Sequence, residues 1–169
     1  MRSTLMALTA VAAFAGAATT IADTILLTTA GVGSSYDAKS TPFTGGTDIT
    51  GLTMTVSVSS DDTNSTIEAT GSGFGVDSGA INGSDEVMTI SFNKEVNIIA
   101  LDFANVQEAN VGTVSFSNNA TGSPFTIADS PSTADDLVFA SPINLKVGEN
   151  FTLTGADDQS FNFERIQLT

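Results

Sequence analysis

The sequence predicts an all-β protein: a single jelly-roll-like antiparallel β-sandwich that follows an N-terminal signal peptide. Beyond residue 22, helical periodicity is absent, and short segments rich in Val, Ile, Phe and Thr recur between clusters of Gly, Asn, Asp and Ser. The clearest segments alternate apolar and polar residues with period two, the pattern of strands with one buried and one wet face. The chain also has no cysteine, so an exported domain must rest on its hydrophobic core. About 150 residues suffice for that, burying roughly two-thirds of the unfolded surface.

The N-terminus supplies the export signal. Arg2 is followed by an uncharged, Ala- and Leu-rich run from Leu5 to Ala18, with small residues gathered at its end. That order matches a basic n-region, an apolar h-region of ~7–15 residues and a small-residue cleavage site. Cuts after Ala17, Ala18 or Ala22 all fit. The run falls short of the ~20 residues that cross a bilayer. Residues 1–22 are therefore expected to be removed, leaving 23–169 as one secreted domain without a membrane span.

Thr24–Thr29 reads as the first strand. Leu52, Met54, Val56 and Val58 fall on one face of a second clear segment, and Met88, Ile90 and Phe92 repeat the arrangement. Asn93-Lys94-Glu95 is expected to turn this strand into Val96–Phe103 as a hairpin. Ile143, Leu145 and Val147 alternate in the same way, and Val147-Gly148-Glu149-Asn150 joins them to Phe151 and Leu153, with Gly148 free to take positive φ. In Val96–Phe103 the apolar set shifts from Val96 and Ile98 to Leu101 and Phe103. Phe161–Leu168 shifts likewise, from Phe161 and Phe163 to Ile166 and Leu168. A β-bulge near Ile99-Ala100 and another near Glu164-Arg165 account for this, as would strands buried on both faces. Ser59–Thr66 and Ser117–Pro124 are loop-sized, Ala128–Asp136 is a longer excursion, and roughly eight to ten strands are expected.

Gly73-Phe74-Gly75-Val76-Asp77, then Gly83 through Phe92, then Val96–Phe103, resemble the secreted β-sandwich domains of bacterial exosortase-sorted (PEP-CTERM) and related surface proteins. The closing stretches Val147–Gly155 and Phe161–Thr169 resemble them too. The resemblance implies an extracellular β-sandwich with no single activity attached. Thr169 stands where those proteins continue into a sorting tail, so secretion, free or loosely surface-associated, is the expectation.

The charge excludes several functions. Beyond the signal the only basic residues are Lys39, Lys94, Lys146 and Arg165, against nineteen Asp and Glu. Nucleic-acid binding needs a basic stripe, and anionic membrane surfaces are disfavoured by the same sign. With neither His nor Cys, Ser-His-Asp, Cys-His and His- or Cys-bearing metal sites are impossible. The Gly-rich runs lack the lysine of a phosphate-binding loop. A carboxylate-only hydrolase is the remaining catalytic option, but the chain has no Trp and one Tyr to serve as a sugar platform. A non-catalytic protein is expected.

Two classes of site then stand out. Tyr36, Phe43 and Phe74 lie in Gly/Ser/Thr-rich surroundings and are the candidates to stack on an extracellular glycan or matrix polymer. Asp157 and Asp158, just before the last strand, with Asp23 entering on the first, are the candidate ligands for a structural Ca²⁺, which takes six to eight oxygens. Asp61-Asp62 and Asp135-Asp136 read as solvated turns. The alternative function is a self-assembling matrix subunit, joined to copies of itself through sheet edges or by exchange of Thr24–Thr29.

Overall fold

Alternation of side chains becomes register once strands pair. A computed structural model describes residues 23–26, 40–43, 51–61, 65–77, 79–107, 110–129 and 136–169. The expected signal segment 1–22 and Tyr36 lie outside them. Strands β3 (Met54–Ser59), β7 (Val87–Phe92) and β12 (Asn150–Gly155) bring their apolar positions face to face: Val56 opposite Ile90, Val58 opposite Met88, Phe151 again opposite Ile90. With β2 (Ser40–Phe43), β9 (Gly112–Phe116) and β10 (Phe125–Ile127) they form one six-stranded sheet in the order β10-β9-β12-β7-β3-β2.

The second sheet runs β11 (Asp136–Leu145), β8 (Val96–Ala104), β13 (Ser160–Leu168), β5 (Gly73–Val76), β4 (Ile67–Thr70). Strands β1 (Asp23–Leu26) and β6 (Ile81–Asn82) also pair with β13. All pairings are antiparallel. The two sheets stack as a sandwich. Between them Phe151 meets Phe163 edge-on at 6.0 Å, and Phe103 lies 5.6 Å from both Phe161 and Phe163. Phe74, Ile90, Ile98, Phe151, Phe161 and Phe163 are all fully buried in this core. Among the described residues no helix is long and apolar enough to cross a membrane.

Both expected bulges occur, and in the same strand pair. Phe163 faces Phe103 and Arg165 faces Asp102, which leaves Glu164 extra; Gln167 faces Ala100 and Leu168 faces Ile98, which leaves Ile99 extra. Each inserted residue moves the apolar set to the other parity while keeping it turned to the core. The two slips lie on opposite strands, so they compensate in register.

Two expected hairpins are corners instead. β7 belongs to one sheet and β8 to the other, as do β12 and β11, so Asn93-Lys94-Glu95 and Val147–Asn150 carry the chain across the sandwich. Asn93 shows how: its Oδ1 accepts from the Thr53 amide at 2.6 Å and its Nδ2 donates to the Gly51 carbonyl at 3.0 Å, tying the corner to the segment entering β3. A hairpin and a corner bury the same alternating positions, so the pattern alone does not separate them. Val147 is exposed rather than aligned with Ile143 and Leu145, because it lies in the tight turn closed by Glu149 N–H on the Lys146 carbonyl. The first strand holds Asp23–Leu26, and the remainder of the expected Thr24–Thr29 lies outside the described residues. Among the described residues the strands number thirteen, above the expected eight to ten.

Candidate binding groove

Strands β10 and β11 are terminal in their sheets, and they lie on the same side of the sandwich. The aromatic rings show it. Phe116 of β9 sits 6.0 Å from Phe125 of β10 and 5.6 Å from Phe139 of β11, and Phe125 and Phe139 are 5.1 Å apart, all near-perpendicular. Phe116 is buried, whereas Phe125 and Phe139 are half-buried and open to the outside. Edge-to-face packing of this kind adds about 0.5–1.5 kcal/mol per pair beyond area burial.

The β9–β10 connection supplies the opposite wall. Its backbone is fixed by Asn119 N–H on the Phe116 carbonyl (3.1 Å), Ser123 N–H on the Ala120 carbonyl (2.9 Å) and Phe116 N–H on the Ser123 hydroxyl (3.0 Å). On the β11 side, pairing with β8 is interrupted between Val138 and Ile143. Phe139-Ala140-Ser141-Pro142 therefore turns away from its own sheet. The space enclosed is a groove of about 630 Å³, within the range of about 300–1,000 Å³ usual for small-ligand sites.

Among the described residues, no charged side chain lines it. Asn118 Nδ2 donates to the Asn144 carbonyl at 2.7 Å, and Asn144 Nδ2 donates to Glu95 Oε1 at 2.8 Å and to Asn97 Oδ1 at 3.0 Å. The amide N–H groups at the rim are thus used within the protein. What faces a ligand is ring surface, the Val138 and Ile143 methyls, and the hydroxyls of Thr121 and Ser141.

Of the aromatics singled out from the sequence, Phe74 does not join this site. Phe74 is fully buried, on β5 opposite Phe163 of β13. Gly73 and Gly75 beside it serve close backbone packing: a Cβ on Gly75 would run into the backbone of Gly79 and Ala80. Its Gly-rich setting therefore marks tight approach rather than an exposed loop. Phe43 ends β2 opposite Met54, at the edge of the six-stranded sheet remote from β10; its side chain lies outside the described residues, as does Tyr36. Phe125 and Phe139 were not singled out. Each belongs to a short apolar stretch indistinguishable from core, and only the pairing of two sheet edges brings them together.

The expected calcium ligands are likewise separated. Asp23 pairs with Leu168 at the far end of β13, whereas Asp157 and Asp158 precede its start. At about 3.3 Å per residue, the ten residues from Asp158 to Leu168 place these groups roughly 30 Å apart. Asp157 Oδ1 accepts the Ser84 hydroxyl, and Asp158 adopts φ 61° in the turn. Both are exposed. Among the described residues no three acidic side chains gather as a metal site would require.

Two other carboxylates have perturbed surroundings. Burial, opposed by the Asn82 N–H and reinforced by Asp77 and Asp85, raises the pKa of Glu86. Asp136 is not the solvated turn residue expected: it opens β11, and its Oδ1 is buried. No protein-family model matches the chain, no curated protein matches its sequence, and no solved structure matches its fold.

Proposed function

We propose that the chain is a secreted, non-catalytic β-sandwich that binds extracellular glycan or matrix material in the groove between β10 and β11. The observation that carries this is the groove's lining: two open phenylalanine rings flanked by hydroxyls, with no charged side chain among the described residues. A sugar ring offers the complement, a C–H face for the aromatics and hydroxyls for the polar rim. With a formal net charge of −14, an anionic polysaccharide is repelled at long range and finds no cation in the groove, so the ligand of this reading is neutral. The signal-like N-terminal sequence and the likeness to bacterial surface domains support the compartment. Calcium, in this reading, is confined to the Asp157–Asp158 turn, with carbonyl oxygens completing the shell and Asp23 taking no part.

The test is a panel of neutral and acidic oligosaccharides read by calorimetry against the wild type and a Phe125→Ala/Phe139→Ala variant. Binding of a neutral member, insensitive to salt and lost in the variant with its circular dichroism intact, is the expected result. Preference for acidic members, or unchanged binding by the variant, would remove the groove from consideration.

Self-assembly stays as the second reading because β11 is an edge strand that exposes Val138. β1 supports exchange less, being already paired with β13 of its own chain. Light scattering decides: concentration-dependent oligomers that Val138→Lys disperses would favour assembly.

A further inference from the structure

The β11 wall of the groove begins at a pair of carboxylates. Asp136 lies directly opposite Asp102 in the β11–β8 register. Asp102 is only 1% exposed. Arg165 Nε donates to its Oδ2, and Gln167 Nε2 reaches the same two oxygens at 3.2 and 3.4 Å. Partners in an antiparallel register share a face of the sheet, so the Asp136 side chain stands beside that of Asp102. Two ionised carboxylates side by side repel, which favours the protonated form of Asp136.

The burial of Asp136 agrees. Its Oδ1 is buried without a hydrogen-bond partner, at a small cavity of about 60 Å³ bounded by Phe103, Thr126, Ile127, Ala128 and Leu137. The carbonyl oxygen of a neutral acid tolerates such a place far better than a carboxylate oxygen does. Among the described residues, the charged groups facing Asp136 are Asp102 on β8 and Glu164 and Arg165 on β13; the β10 side contributes Thr126, Ile127 and Ala128 and no charge. Burial first, then Asp102, raises its pKa; Glu164 adds to this and Arg165 opposes it.

The position matters because β11 is weakly held at this end. It pairs with β8 at Asp136, Leu137 and Val138, then departs until Ile143. The departing residues are the groove wall.

We propose that the Asp136–Asp102 contact is a proton-operated clasp on that wall. With the proton in place, the start of β11 is fastened and Phe139 is held against Phe125. When Asp136 gives its proton to solvent, two carboxylates face each other with one guanidinium between them, the first pairs of β11 loosen, and the wall opens. The consequence for a ligand rests on the groove being the binding site; the clasp itself does not.

The experiment is a ligand-free NMR titration of the isotopically labelled protein, following the Asp136 carboxyl carbon and the amides of Leu137, Val138 and Phe139. All four should move with one midpoint above the ordinary aspartate range. Asp136→Asn should abolish the step at the three amides, and Glu86→Gln should leave it in place. Amides that stay still while Asp136 titrates, or a step that survives Asp136→Asn, would overturn the clasp. No sugar is present, so a failure of the glycan reading leaves this outcome unaffected.

Discussion

Replacing Arg165 by Met tests whether the outer polar cluster on the seven-stranded sheet is held by charge or merely decorated with it. Asp102 is almost inaccessible, and Arg165 is its one cationic partner among the described residues. Removing one member of a buried pair costs about 3–5 kcal/mol, because the remaining charge is left desolvated. Arg165, however, is 38% exposed along its side chain. Water enters once it is shortened, and the cost falls to about 2–3 kcal/mol after that discount. For a domain of this size, each kcal/mol moves the melting temperature by roughly 2–4 °C, so Arg165→Met should melt about 4–12 °C lower by far-ultraviolet circular dichroism. The double variant Arg165→Met/Asp102→Asn removes the stranded charge and should recover at least half of that loss. A loss under about 0.5 kcal/mol for the single variant would make the pair an ordinary surface contact. A double variant no more stable than the single would show that packing of the arginine stem, and not Asp102, was responsible.

Phe74→Ala should act on stability and not on binding: a fully buried ring lost from the core costs about 3–5 kcal/mol, read as a shifted urea midpoint with retained affinity in whatever protein remains folded. Raised folded-state pKa values at Asp136 and Glu86 mean that the native chain binds more protons than the unfolded one between the ordinary carboxylate pKa and the raised value. Stability from these groups is therefore full below the unfolded pKa and is lost as pH rises through the folded one. Urea midpoints across that window should fall with pH less steeply in Glu86→Gln and in Asp136→Asn than in the wild type. If calcium binds at the Asp157–Asp158 turn, adding it should raise the melting temperature and chelator should reverse this, with Asp157→Asn/Asp158→Asn insensitive and Asp23→Asn unchanged. Loss of the calcium response in Asp23→Asn would contradict the separation of that residue from the turn.

The sequence by itself determined the fold class, because the evidence for it is local. Alternation of period two at Leu52–Val58, Met88–Phe92 and Phe151–Leu153 dictates strands with one buried face wherever they pair, whereas the parity slips in Val96–Phe103 and Phe161–Leu168 fit either an extra residue or burial on both faces, and the pairing shows the extra residues, Ile99 and Glu164. Partnership was decided only in three dimensions. A turn such as Asn93-Lys94-Glu95 leads to a neighbour or to the opposite sheet with the same residues buried, and the choice rests on distant groups, such as Thr53 and Gly51 holding Asn93. The same holds for sites. Phe74 looked like a loop aromatic because glycines surround it, yet those glycines allow neighbouring backbone to close over it. Phe125 and Phe139 looked like core, and became a groove because two sheet edges end side by side. Asp136 looked solvated, and burial together with the register that sets it against Asp102 raises its pKa. Burial of a face is written in the neighbours along the chain; exposure of an edge and the charge on a buried acid depend on what lies across it, which only the packed sheets supply.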